Sequence, residues 1–202
     1  ATLFHWTSRH GTVRRCLFER NEIGLLTGNS PSSELVVEQS EFRDNAIDPP
    51  QQADPAHQIY VGRIRRFTLR ASYIHRGAIG HLVKSRAYES RILYNRITDE
   101  TGHASYELDF PDGGIAYVIG NIIQQSAKSE NPAVISFGAE GYRHSDNALY
   151  LVNNTIVDRL PAGGRYLDVA PGTTEVHAFN NLFVGPQRRD PASGDRLGNF
   201  TI

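Results

Sequence analysis

LVNNTIVDR at residues 151–159 and AFNNLFV at 178–184 are one phrase written twice, Asn-Asn followed by apolar residues, 27 positions apart. Anchored on Ile156, equivalent apolar positions occur at Phe18, Phe42, Ile74, Ile97, Ile123, Ile156 and Phe183, in steps of 24, 32, 23, 26, 33 and 27 residues. Five positions before each anchor stand Val13, Val37, Leu69, Ile92, Val118, Leu151 and Ala178. Two positions before stand Cys16, Ser40, Ser72, Asn95, Asn121, Asn154 and Asn181. Seven rows with three matched columns are a repeat, and a repeat of this period organises the whole fold.

Each unit carries a second β-like segment: HQIYVG, HLVKSR, SYELDF, AVISFG and RYLDV. No unit holds an amphipathic helical pattern. Short units with several strands and no helix fit a solenoid, in which each coil stacks on the last. Asn in one column then places side-chain amides ~4.8 Å apart, each bonding the next. Asn also tolerates the left-handed backbone of a sharp corner. Longer steps are loops, DNAIDPPQQADPAHQ at 44–58 and QSAKSENP at 125–132. The expectation is an all-β chain of about seven coils, a single domain over 1–202.

On VNNTIV, FNNLFV, YNRIT and GNIIQ the chain resembles the right-handed parallel β-helix proteins of the pectin-lyase-like superfamily, over roughly residues 11–186. The resemblance implies carbohydrate chemistry, such as that of lyases, hydrolases and epimerases, in a secreted or periplasmic setting. Residues 1–12 complete no coil and GDRLGNFTI at 194–202 reads as the start of another. The reading is therefore a piece of a longer helix, or ends that cap by self-association, because a bare strand edge invites pairing.

Composition narrows the partners. Among 202 residues the formal net charge is −1, so no basic excess points to nucleic acid. No stretch approaches the ~18 apolar residues of a membrane span. Cys16 is the one cysteine, which excludes an internal disulfide and any cysteine-based zinc site. It sits in the small-residue column and reads as a corner filler.

Function has to come from a site, since this fold hosts many activities. Alternation along the second segments, with Val61, Val83 and Leu108 inward, turns Ile59, His81 and Tyr106 inward too. The same parity turns Tyr60, Leu82, Lys84, Arg86, Glu107 and Asp109 outward, on one surface of three neighbouring coils. The loop at 44–58, with His57 at its end, would wall a groove there. Elimination from a uronate needs a cation on the carboxylate while the adjacent proton leaves. Arg86 is a natural bidentate clamp for that carboxylate. Lys84 is the candidate base, provided that Arg86 and partial burial lower its pKa. Tyr60 or Tyr106 would protonate the departing oxygen. Glu107 and Asp109 are candidate Ca²⁺ ligands; some lyases of the superfamily pair Lys and Arg with such ligands, and KSR followed by YELD loosely resembles them.

The partner expected is an acidic polysaccharide, and the catalytic set is Lys84, Arg86, His81 and Tyr60, with His57, Tyr106, Glu107 and Asp109 at the substrate. His81 interrupts an apolar column and is read first as a buried structural histidine; a local bulge would turn it outward as a base suited to neutral pH. His103 and His144 fall in apparent loops and are read as solvated. Three other readings stand beside this one. Lys84 with Asp109 and Arg86 with Glu107 could be plain surface ion pairs worth ~0–1 kcal/mol each. Glu107 and Asp109 could be the two carboxylates of a glycoside hydrolase. A non-catalytic binding module would instead show aromatic platforms, for which Tyr60, Tyr88, Tyr94 and Tyr142 are available and Trp6 lies outside the repeat.

Overall fold

The computed structural model describes residues 9–45, 57–172, 175–186 and 195–201. Among them there is no helix; the strands form three sheets in which every pairing is parallel. The first sheet orders His10–Arg14, Ser30–Glu38, Ile64–Arg70, Glu89–Leu93, Ile115–Ile119, Ala148–Val152, Glu175–Phe179 and Asp195–Leu197. The second orders Leu17–Glu19, Glu41–Arg43, Tyr73–His75, Arg96–Thr98, Ile122–Gln124, Thr155–Val157, Leu182–Val184 and Phe200–Thr201. The third runs Leu25–Leu26, Ile59–Val61, Val83–Ser85, Leu108–Phe110, Ala133–Phe137 and Arg165–Val169. Successive strands in the chain lie in different sheets, and sheet neighbours come from successive repeats. That is the topology of a parallel β-helix or solenoid.

The repeat columns are the register. Phe18, Phe42, Ile74, Ile97, Ile123, Ile156 and Phe183 pair in that order in the second sheet. Val13, Val37, Leu69, Ile92, Val118, Leu151 and Ala178 do so in the first. From Val37 and Phe42 onward both columns are buried, and with Ile59, Leu108, Ile135 and their neighbours they form one apolar cluster from Leu25 to Phe183. Phe18 and Phe42 stack with ring centroids 4.6 Å apart.

The third column is a hydrogen-bonded corner. Backbone N–H groups of Asn95, Asn121 and Asn154 donate to the side-chain oxygens of Asn121, Asn154 and Asn181 at 2.8, 2.9 and 3.0 Å. Each of these amides also donates through Nδ2 to the next Oδ1 and to a carbonyl in the preceding repeat, as Asn154 does to Asn181 and Val118. Ser40 and Ser72 accept the same backbone bond through Oγ, at 3.2 and 3.1 Å. Asn199 continues the column, accepting from Asn181 N–H at 2.8 Å. Its anchor in the second sheet is Thr201, a polar residue that breaks the apolar column.

One detail differs from expectation. The left-handed residue is the one before each ladder position: Arg15, Gln39, Ala71, Tyr94, Gly120, Asn153 and Asn180, with φ from 47 to 68°. That residue makes the bend, and the next side chain turns inward to meet the neighbouring repeat. The bend costs a non-glycine residue ~1–2 kcal/mol, which the stacked bonds on both sides offset.

Candidate active site on the third sheet

The third sheet aligns Tyr60 with Lys84, Lys84 with Asp109 and Asp109 with Ser136. Just before these strands the alternation breaks. Gln58 and Ile59 both donate backbone N–H groups to successive carbonyls, His81 and Leu82, and Leu82 and Val83 do the same to Tyr106 and Glu107. Consecutive donation of this kind marks a corner, so two successive residues point the same way.

The corner corrects the parity argument. Leu82 and Glu107 point into the interior and are 0% exposed. His81 and Tyr106 turn outward instead, the outcome foreseen for His81 only if a bulge intervened. Their rings lie 5.0 Å apart, and the His57 ring lies against His81 at 4.9 Å with its plane tilted by 34°. His57 is buried and its Nδ1 accepts the His81 backbone N–H at 2.9 Å. That fixes the remaining proton on Nε2 when the ring is neutral.

Seven of the eight sequence candidates therefore share one outer cluster, and Glu107 does not. Both Glu107 oxygens lack a hydrogen-bond partner among the described residues, and burial, then Asp99, pushes its pKa well above the usual carboxylate range. Glu107 and Asp109 leave the strand on opposite sides and cannot hold one cation together. Among the described residues no group of three His, Cys, Asp or Glu side chains is placed to hold a metal ion.

Two carboxylates absent from the sequence reading complete the cluster. Glu140 bridges the two cations: its Oε1 accepts from Lys84 Nζ at 2.9 Å and its Oε2 from Arg86 Nη2 at 2.6 Å. Asp112, 0% exposed, accepts from Arg86 Nη1 and from Arg63 Nε. Arg86 Nε donates to the Tyr60 hydroxyl at 2.9 Å. Lys84 also approaches Asp109 Oδ2 at 3.5 Å, and His81 Nε2 lies 3.4 Å from the same oxygen. His144, expected in solvent, places Nε2 3.2 Å from the Arg86 carbonyl. Asp112 reads in sequence as part of the PDGG turn, and Glu140 meets Lys84 across 56 residues of chain. No local spacing signals either.

Burial separates this cluster from ordinary surface pairs. The Lys84 and Arg86 side chains are only 10 and 12% exposed, whereas the weak pairs of protein surfaces are solvated. Burial pushes Asp109 up to about 6, against the pull of Lys84. Burial, reinforced by Lys84, lowers His57 to about 4; burial and then His57 lower His81 to about 2. Both imidazoles are thus neutral near pH 7. Burial opposes the Glu140 charge, but hydrogen bonds from Lys84 and Arg86 outweigh it and hold its carboxyl below the usual range. The arrangement is a fixed pair of cations gripping a carboxylate, beside a carboxyl poised near neutrality. The groove wall expected at 44–58 falls largely on residues 46–56, and Trp6 on the first eight; both lie outside the described residues.

No family model matches the chain, and no curated protein or solved structure matches it either.

Proposed function

We propose that the chain is a right-handed parallel β-helix of about seven coils, akin to the pectin-lyase-like proteins, that binds an acidic polysaccharide on the outer face of its third sheet and cleaves it by elimination. The hand follows from the strong bias of parallel strand crossovers. A secreted or periplasmic location goes with that substrate.

The observation that carries the reading is the Glu140 carboxylate held between Lys84 and Arg86. It occupies the pose a uronate carboxylate takes when Glu140, whose side chain is 47% exposed, rotates toward solvent. Arg86 is oriented for this by Asp112 and Tyr60 behind it. Once Lys84 turns base, Arg86 alone keeps the substrate carboxylate neutralised, and the proton on the carbon that bears it becomes acidic. Lys84 passes a proton to Asp109, and the resulting amine takes the substrate proton. The C–O bond on the next carbon breaks as a C=C bond forms, and Tyr60 protonates the departing oxygen. Epimerisation shares the first step and returns the proton to the opposite face. No metal enters this scheme.

The hydrolase reading survives only in altered form. Glu107 is interior, so the second carboxylate would be Glu140. What favours it is that the pKa values of Asp109 and Glu140 are pushed apart, as an acid and a base require. The products separate the two, because only elimination leaves a double bond.

Titration calorimetry with a short uronate oligomer tests the carboxylate seat. Glu140→Gln removes the internal competitor and should tighten binding by about fivefold, or ~1 kcal/mol, a modest gain because Glu140 itself, unlike the two cations, is half exposed and easily turned out to solvent. Lys84→Ala should weaken it. Equal affinity in both variants and the parent would remove the seat from the account.

A further inference from the structure

Beside this cluster, a pocket of about 380 Å³ opens between the third and first sheets. Arg63, Arg65 and Arg143 wall it, with Tyr88 and His144; Pro31 and Ile64 supply apolar surface. Asp112 ties the pocket to the site. This one buried carboxylate accepts from Arg63 Nε at 2.6 Å through Oδ2, while its Oδ1 holds Arg86 Nη1 and lies 3.9 Å from Arg143 Nε. Arg86 thereby faces Glu140 while Arg63 and Arg143 face the pocket. The Tyr88 ring stands edge-on to His144 at 5.6 Å.

The pocket's own acids are few and committed. Glu34 comes within 3.5 Å of Arg65, but it also serves Arg66 and His10. Asp146 takes the Tyr88 hydroxyl and Ser145. Arg65 and Arg143 are each 61% exposed, and their ion contacts among the described residues are these long ones. Guanidinium groups with donors to spare match the paired oxygens of a carboxylate or sulfate ester. The apolar floor suits the C–H face of a sugar ring. The chain as a whole carries no basic excess, its formal net charge being −1.

We propose that this pocket is an accessory subsite for an anionic group, carboxylate or sulfate ester, on the same sugar chain that crosses the third sheet. The assignment rests on the acidic-polysaccharide reading above. The subsite holds a neighbouring ring and sets register without touching the reacting atoms.

The test is the double variant Arg65→Gln/Arg143→Gln, which spares Arg63, Asp112 and every residue of the catalytic cluster. Its affinity for a uronate oligomer, a sulfated oligosaccharide and single-stranded DNA is measured at low and high salt, with turnover alongside. Loss of charged hydrogen bonds should weaken one of the two sugars about tenfold and flatten its salt dependence. KM should rise while kcat holds. The sugar that suffers more identifies the group bound. Unchanged affinity and KM would overturn the subsite even if Lys84→Ala abolishes turnover. Weakened sugar binding in the double variant, with Lys84→Ala equal to the parent, would keep the subsite and reject the third-sheet site. DNA bound as tightly as either sugar, and lost in the double variant, would overturn the sugar assignment.

Discussion

The asparagine corner and the outer face of the third sheet use the same device to opposite ends. In both, parallel register stacks equivalent residues of successive repeats at strand spacing. At the corner the stacked residues are alike, so Asn95, Asn121, Asn154 and Asn181 satisfy one another and the backbone between them. On the third sheet the stacked residues differ, and Tyr60, Lys84, Asp109 and Ser136 bring unlike chemistry together. Like residues in register make a ladder; unlike residues in register make a site. The ladder should govern stability and leave chemistry alone, and the site should do the reverse.

The largest stability effect should come from the ladder. Asn154→Ala strips the acceptor from Asn121 N–H and Nδ2, the side-chain donor from the Val118 carbonyl, and one of the two donors from Asn181 Oδ1, which keeps the backbone N–H of residue 154. Each orphaned buried group costs ~1–3 kcal/mol before relaxation. Thermal unfolding should show a clear drop in Tm. Asn154→Ser should lose less, because Ser40 and Ser72 already accept the same backbone bond in this column. A variant with Ala and an unchanged Tm would break the comparison at its structural end.

A smaller effect of opposite sign should come from Glu107, the acid the corner turned inward. Its folded pKa is raised, so the stability it contributes is complete below its ordinary value of 4.5 and is lost as pH rises toward the folded value. Leu82 and Val134, its neighbours in the stack, are apolar and buried. Glu107→Leu should therefore raise stability at alkaline pH by ~1–3 kcal/mol and flatten the fall that begins as pH rises above 4.5. Denaturant titration at several pH values reads it. A variant less stable than the parent at pH 8 would mean that Glu107 has an internal partner after all.

Much of the fold was legible because a solenoid writes its register into the sequence. Ile156, Asn154 and Leu151 each predict a column, and each column is a set of paired residues. Asn199 escaped because Thr201 breaks the apolar column it belongs to. The site was legible only as far as alternation holds. Lys84, Asp109 and Tyr60 lie on regular strand, Arg86 follows directly after one, and the four face outward together. Glu107 and His81 lie beyond the corner, where two residues in succession share a direction and parity inverts. Glu140 and Asp112 reach the cluster through tertiary contact from a loop and a turn. No periodicity carries that information.

The most direct test of the elimination account is the ultraviolet absorbance of unsaturated uronate during incubation with uronate polymers. The account expects absorbance to climb, with a rate that rises as pH passes about 6, where Asp109 loses its proton and can take one from Lys84. Lys84→Ala should lose ~10²–10⁴-fold of that rate as the general base is removed. No absorbance from any uronate polymer, or a Lys84→Ala protein as active as the parent, would contradict it.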